Sequence, residues 1–489
     1  LPLANISWAI SSFKIKTFYW GKLPTLFLLF LGYYNKEWLR WFQVMQTPVF
    51  WAVGGAKAVA KVAKLLRLGD GTNLPGKVAR RLCPSVLTQM AHGIYDHSVA
   101  ITGTNGKTTT AGLLAQFYLA DNRRVVHNTL GANMLTGITA ALALKTNWRG
   151  KLEADIGVLE VDEASLRHVA KEVPFQRVIV TNLFRDQLDR YGELDTTARF
   201  IQQGVGQSAT ILNADDPLVA HLGQDTSLYF GVHRVLTPPM RTDTLVDFPR
   251  EVTGCPRCDQ PLHYDLLHYG HLGHYQCAAC GFQRPTPVVV AERVRLSPQG
   301  SEVSLRYGDR GCVTLFLPLP GLFNVYNLLA AACAAYAAAL PLECLSRGIR
   351  AYGGVFGRAE RKTIDGKPVW VMLIKNPVGA SEVLKLVGSD PNGRLLIALN
   401  DLDADGRDVS WIWDAEFERL PTDKPVVVSG LRAEDLAVRL KYAGVDQHCL
   451  TVEPDLKRAI QQALTQTGPN ETLYVLPTYT ALLSLRNLL

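Results

Sequence analysis

From about residue 97 onward, short apolar bursts alternate with longer stretches whose apolar positions recur at helical spacing. Residues 98–101, 156–161, 177–181 and 209–212 read as buried strands, and 108–120 as a helix between the first two. The pattern resumes with strand-like segments at 288–296 and 302–307 and an alanine-rich helix over about 325–340. A second series starts near residue 365, with candidate strands at 395–399, 426–428 and 473–476 and helices near 432–443 and 456–464. Strands separated by helices predict an α/β fold built on mainly parallel sheets covered on both faces.

Three stretches depart from this rhythm. Residues 1–44 hold a dense aromatic set (Trp8, Phe13, Phe18, Tyr19, Trp20) and an apolar run at 26–31. That run is short of the ~20 residues a bilayer span needs, and no small-residue cleavage site follows it. The first methionine is Met45, which is expected to be the natural start, with 1–44 an upstream extension or disordered. Residues 45–96 read as a helical lead-in, in which 49–67 is amphipathic with Lys57, Lys61, Lys64 and Arg67 along one side. Such a face is either simply solvated or a weak membrane-surface contact. Residues 250–285, rich in Cys, His, Pro and Tyr, read as an insertion within a central domain of 97–360, and 361–489 form a C-terminal domain.

At 489 residues the chain is too long for one core. A net charge of +7 suits an anionic ligand or membrane surface without demanding nucleic acid. Nine cysteines, five of them scattered (Cys83, Cys312, Cys333, Cys344, Cys449), argue against a secreted disulfide scaffold and for a reducing cytoplasm.

Between the first strand and the first helix stand Gly103, Thr104, Asn105, Gly106, Lys107, Thr108 and Thr109. Glycines let such a loop turn its amides toward anionic oxygens, and the helix N-terminus adds partial positive charge. Lys107 can reach the outer phosphates of ATP, and the Thr108 hydroxyl suits Mg²⁺. The longer form of this loop needs glycine where Ile101 stands, so this is the shorter variant. Acidic residues at the next strand end complete a metal site, with Glu160 the chosen ligand and Glu163 either part of it or a helix-capping charge. Asn182 and Asp186 follow a further strand, where loops at strand C-termini converge on ligands.

Cys255-Pro256-Arg257-Cys258 and Cys277-Ala278-Ala279-Cys280 have the spacing of a four-thiolate zinc ribbon. Four sulfurs leave zinc no open position, so a structural Zn²⁺ is expected. His263, His268, His271 and His274 between the pairs are expected at the surface. The module lacks a basic, aromatic-interleaved face, which speaks against a nucleic-acid-associated ATPase.

These residues together resemble the Mur ligase family. Its Asn-Ala-Asp-Asp motif is similar to residues 213–216, and its Gly-x-His-Asn-x-x-Asn motif to residues 321–327, with Phe323 in place of histidine. Residues 356–360 match its hinge motif. The resemblance implies a central ATPase domain, Asn324 and Asn327 on the adenine side, and Arg358 on nucleotide phosphate or acyl phosphate. A short lead-in in place of a UDP-sugar domain, the cysteine insertion and the motif at 400–414 resemble the MurT type within that family. That type is the synthetase subunit of lipid II isoglutaminyl synthase, with a Rossmann-like C-terminal domain. It implies ATP-dependent amidation of a D-glutamate α-carboxylate of lipid II at the membrane surface, with ammonia from a GatD-type glutamine amidotransferase in a heterodimer. It also implies that a C-terminal aspartate serves the partner's catalytic histidine, with Asp408 first choice and Asp414 and Asp405 behind it. Consistently, Cys333 lies in an alanine-rich helical stretch and reads as core, Cys312 and Cys344 lack glycine elbows, and no glutaminase nucleophile is visible. The alternative is a Mur or folylpolyglutamate-type ligase that adds an amino acid.

Overall fold

The computed structural model describes residues 48–65, 73–128, 132–147, 149–186, 194–236, 251–353, 357–486 and 488. Met45, expected as the natural start, Arg67 and the first hinge residue Phe356 lie outside them. The lead-in consists of helices α1 (Pro48–Leu65), α2 (Leu74–Leu82) and α3 (Val86–Ala91). A nine-stranded sheet follows. Its strands are β1 (Ile94–Thr102), β2 (Val125–His127), β3 (Ala154–Glu160), β4 (Arg177–Val180), β5 (Ala209–Asn213) and β6 (Leu228–Val232), then β9 (Val289–Ser297), β10 (Gly300–Tyr307) and β11 (Cys312–Leu317). The order across the sheet is β11-β10-β9-β6-β5-β4-β1-β3-β2. All pairings from β2 to β9 are parallel, and β9-β10-β11 is an antiparallel meander.

Alternation along β1 feeds two cores. Val99 and Ile101 face one side and Ala100 the other. On the first side lie α4 (Lys107–Ala120), α9 (Leu322–Ala337) and α10 (Leu342–Ala351). Residues 330–335 of α9, five alanines and Cys333, are fully buried. Small side chains there let the helix lie close against its neighbours. The other side is covered by α1, α2 and α3 with α5 (Leu135–Lys145), α6 (Glu163–Val169), α7 (Leu194–Val205) and α8 (Pro217–His221).

Between β6 and β9 the chain builds the cysteine module and an antiparallel hairpin, β7 (His263–Tyr269) with β8 (Leu272–Gln276). A second sheet holds β12 (Arg358–Ile364), β13 (Lys367–Met372), β14 (Gly393–Ala398), β15 (Val426–Ser429), β16 (Leu450–Val452) and β17 (Thr472–Pro477). Its order is β12-β13-β17-β14-β15-β16, with only β12 antiparallel to its neighbour. Helices α11 (Pro377–Gly388), α12 (Ala433–Tyr442), α13 (Leu456–Gln466) and α14 (Tyr479–Leu485) accompany it. Among the described residues no helix is long and apolar enough to cross a membrane.

Two expectations need correction. The four histidines of the module do not share the surface. Only His263 is exposed, whereas His271 is fully buried and His268 and His274 press against the Val232 carbonyl at 3.3 and 2.9 Å. The physical reason is that the hairpin folds back onto the sheet's strand ends instead of standing in solvent. Lys57 likewise leaves the solvent face of α1. Its ammonium donates to the Thr146 carbonyl at 2.6 Å, while Lys61 and Lys64 stay exposed.

Candidate active site

Chain order around β1 reverses, so the loops after β1, β3 and β4 meet at a switch point where α/β sheets bind ligands. The loop after β1 is shaped by Gly103 (φ +115°) and Gly106 (φ +88°). A side chain on Gly106 would fall 1.9 Å from the Asn327 amide oxygen, and one on Gly103 would fall 2.4 Å from the Thr181 hydroxyl. Asn182 braces the loop by accepting from the Asn105 N–H at 2.9 Å and donating to its carbonyl at 3.1 Å. Thr104 is fixed to Phe184 through both main-chain groups of that residue. Helix α4 then starts at Lys107 with Gly106 as its cap, and no side chain satisfies its first amides. Those uncapped N–H groups and the helix dipole fit a phosphate.

Below that turn, the Thr108 hydroxyl donates to Glu160 Oε2 at 2.8 Å, and Asn133 donates to Oε1 at 3.3 Å. Glu160 ends β3, where Asn128 holds both its N–H and its carbonyl. A hydroxyl beside one buried carboxylate suits Mg²⁺, which keeps waters and phosphate oxygens as its other ligands. Lys107 is engaged with its own loop. Its ammonium donates to the Gly103 carbonyl at 2.5 Å and pairs with Glu163 at 2.8 Å. Burial alone would lower Lys107, but Glu163 and Glu160 hold it above the ordinary lysine value; for Glu163 desolvation wins and raises the carboxyl. The helix-capping role open to Glu163 belongs instead to Asp162, whose carboxylate accepts from the Ser165 N–H.

A cleft runs from this loop to the C-terminal unit. Asn324 and Asn327 line it from the first two turns of α9, with the Asn327 amide donating to Asn324 Oδ1 at 3.2 Å. Across it, Asn105 and Asn376 exchange amide hydrogen bonds at 3.0 and 3.4 Å, and Lys375 pairs with Asp186. Arg358 opens β12 beside the cleft; its side chain lies outside the described part of the structure.

The four cysteine sulfurs lie within 4.8 Å of one another. Cys255–Cys280 and Cys258–Cys277 are each 3.6 Å apart. A zinc tetrahedron with Zn–S of about 2.3 Å has edges of about 3.8 Å, so the set fits Zn²⁺. The two knuckles repeat one geometry. Cys255 and Cys277 accept, through their carbonyls, from the N–H of Asp259 and Gly281, the two positive-φ residues at +60° and +71°. The Cys277 thiol is drawn down to about 7, chiefly by the Cys280 amide.

Residues 101–232 match the Mur ligase middle domain, and residues 373–482 match the MurT ligase C-terminal domain. The MurT subunit of lipid II isoglutaminyl synthase from Staphylococcus aureus strain N315 is 36% identical over 420 residues, covering 84% of this chain and 91% of that one. The chain belongs to the MurT family. The Streptococcus pneumoniae R6 MurT is 35% identical over 441 residues, covering 87% and 94% of the two chains. A pseudomurein peptide ligase from Methanothermus fervidus shares the fold with TM-score 0.62 at 22% identity, covering 81% of this chain and 78% of its own. MurF from Thermotoga maritima, solved with ADP, shares it with TM-score 0.58 at 13% identity over 85% and 83%.

The acidic loop of this MurT-family chain divides by burial. Asp405 is buried and accepts from the Thr480 N–H at 2.8 Å, and desolvation raises its carboxyl. Asp408 and Asp414 are exposed. Asp408 accepts from the Ser410 N–H at 2.8 Å, which holds its carboxyl below the usual range. Asp403 pairs with Arg407, and Asp401 with Arg432.

One constellation went unread in the sequence. Asp215, fully buried, accepts from Arg284 at 2.5 Å, the Tyr326 hydroxyl at 2.7 Å and the Val232 N–H at 2.8 Å. Asp216 caps α8, accepts from the Leu183 N–H and lies 3.4 Å from His271. The adjacent aspartates thus bolt the cysteine module and α9 to the sheet. The motif at 213–216 was the available signal, but a motif names no partners, and Arg284 and Tyr326 are remote in sequence.

Proposed function

We propose that this chain is the ATP-dependent synthetase subunit of a lipid II isoglutaminyl synthase. It amidates the α-carboxylate of D-glutamate in the lipid II stem peptide, and a GatD-type glutaminase supplies the ammonia within a heterodimer. A carboxylate oxygen attacks the γ-phosphorus of ATP, ADP leaves, and an acyl phosphate forms. The ammonia nitrogen then attacks the acyl carbon, phosphate leaves and a proton is shed. The observation that carries this reading is the Thr108–Glu160 contact under uncapped α4 amides, at the edge of a cleft shared with a MurT-type C-terminal unit.

Mg²⁺ held by Thr108 and Glu160 would neutralise phosphate charge. Lys107 turns from Glu163 to the transferring phosphoryl group, so the loop stabilises charge that grows in the transition state. Asn324 and Asn327 border the base side, and Arg358 approaches phosphate as the units close. Closure through Asn105–Asn376 and Lys375–Asp186 excludes the water that would hydrolyse the acyl phosphate. Asp408, exposed and ionised, orients the partner's histidine, since a carboxylate beside a ring nitrogen fixes its tautomer. Trp51, Val62 and Leu65 on α1 are exposed beside Lys61 and Lys64, a face suited to peripheral contact with the membrane that carries the substrate.

Co-expression with a candidate glutaminase, followed by mass analysis of the treated stem peptide, tests the reading. The expected product shows the small mass decrease of acid-to-amide exchange and depends on both ATP and glutamine. Asp408→Asn is expected to abolish glutamine-driven amidation while sparing ATP binding and turnover with free ammonia. Undiminished glutamine-driven activity in that variant would remove Asp408 from the scheme.

A further inference from the structure

The cleft contains two polar groups that its own framework leaves for a ligand. Tyr269 ends β7 at the tip of the zinc-module hairpin. Its ring is wedged between Phe184 and Tyr326, with centroids 5.9 and 5.7 Å away, and only 4% of the residue is exposed. The neighbouring Gly270 (φ +56°) passes so close that a side chain there would meet the Phe184 ring at 2.9 Å, which fixes the tip. Yet the Tyr269 hydroxyl, at the cleft wall, has no hydrogen-bond partner among the described residues. Glu382, on α11 of the C-terminal unit, lines the same cleft. Its side chain is 9% exposed and is matched by Lys385, which leaves most of its acceptor capacity unused. The asparagines of α9 are committed elsewhere. Asn324 donates to the Pro320 carbonyl at 2.7 Å and accepts from Asn327. Phe323 adds a half-buried aromatic ring to the same cleft.

We propose that Tyr269, from the hairpin, and Glu382, from α11, together read the base of the nucleotide in this cleft and select adenine over guanine. This rests on the reading of the phosphate loop as an ATP site. Adenine presents an amino donor beside a ring-nitrogen acceptor, whereas guanine presents a carbonyl acceptor in place of the amino group. A carboxylate next to a phenol donor matches the first pattern and repels the second. Burial, reinforced by Glu382, holds the Tyr269 phenol far above its ordinary value, so it stays a donor. Phe323 supplies the stacking face, which does not discriminate between purines. The metal module thereby contributes a wall of the base pocket, and base recognition draws on three parts of the chain: the hairpin, α9 and α11.

Calorimetric titration of the full chain with magnesium and ADP, GDP or inorganic tripolyphosphate tests this. The unsubstituted protein is expected to bind ADP at least ~10-fold more tightly than GDP. Tyr269→Phe is expected to weaken ADP about 3- to 10-fold, the share of one neutral hydrogen bond. Glu382→Gln, whose amide can turn to donate, is expected to narrow the preference for ADP over GDP. Tripolyphosphate, which lacks a base, is expected to bind all three proteins alike. An unchanged ADP:GDP ratio in both variants would overturn the proposal, as would a parallel loss of tripolyphosphate binding. If the unsubstituted protein bound neither ADP nor tripolyphosphate, the ATP site itself would fall, a separate result from loss of base preference.

Discussion

Lys107 and Glu163 form the most consequential pair at the scale of single residues. Both are buried, and each keeps the other's charge tolerable. Lys107→Met is expected to cut ATP turnover by ~10²–10³, the usual cost of losing one preorganised charge at a transferring group, read as phosphate release. Asp215 sets a different test. Arg284→Met leaves a fully buried carboxylate short of its cationic partner and is expected to cost about 3–5 kcal/mol in a urea melt, with the zinc module loosened first. The loop glycines, Lys107, Thr108 and Glu160 were legible in the sequence because phosphate chemistry fixes their spacing. Arg284, Tyr326 and Lys375 were not, because their roles exist only once distant strands are side by side. His271 was misjudged for the same reason, since nothing local distinguishes a histidine at a hairpin tip in water from one folded under a sheet.

Among elements, the paired knuckles give an internal comparison. Each needs one residue at positive φ just after its second cysteine, filled by Asp259 in one and Gly281 in the other. Gly281→Ala is expected to destabilise the module by about 1–2 kcal/mol, and Asp259→Gly to leave it unchanged or firmer. Zinc retention against a chelator, measured for both variants, checks the opposite signs. The long, strongly periodic segments were legible: α4, α9, α12 and α13 and the strands β1, β3, β14 and β17 stand close to where alternation and helical spacing put them. β2, with three residues, carries too little pattern to announce itself, and the β7–β8 hairpin was hidden by the cysteines around it.

For the whole molecule, half-buried histidines pull stability down in mild acid. His97, His127 and His268 are all depressed below the ordinary imidazole value, chiefly by desolvation. Below pH ~6.5 the unfolded chain takes up protons at these sites that the folded chain resists, so stability falls as pH drops from there toward the folded values. Urea midpoints with zinc present are expected to decrease between neutrality and pH ~5.5. His97→Gln, which removes the ring held 2.8 Å from the Tyr118 hydroxyl, is expected to flatten that slope.

Strands β6 and β9 are parallel neighbours, and the chain between them contains the cysteine module. The insertion is therefore the crossover that joins two parts of one sheet. The β9-β10-β11 meander follows that crossover in the chain, so a metal ion held by the four sulfurs would also brace the path by which the last strands join the sheet. Chelator-treated protein is therefore expected to open the β6–β9 seam to limited proteolysis, and an unchanged cleavage pattern would show that the sulfurs brace nothing beyond their own knuckles.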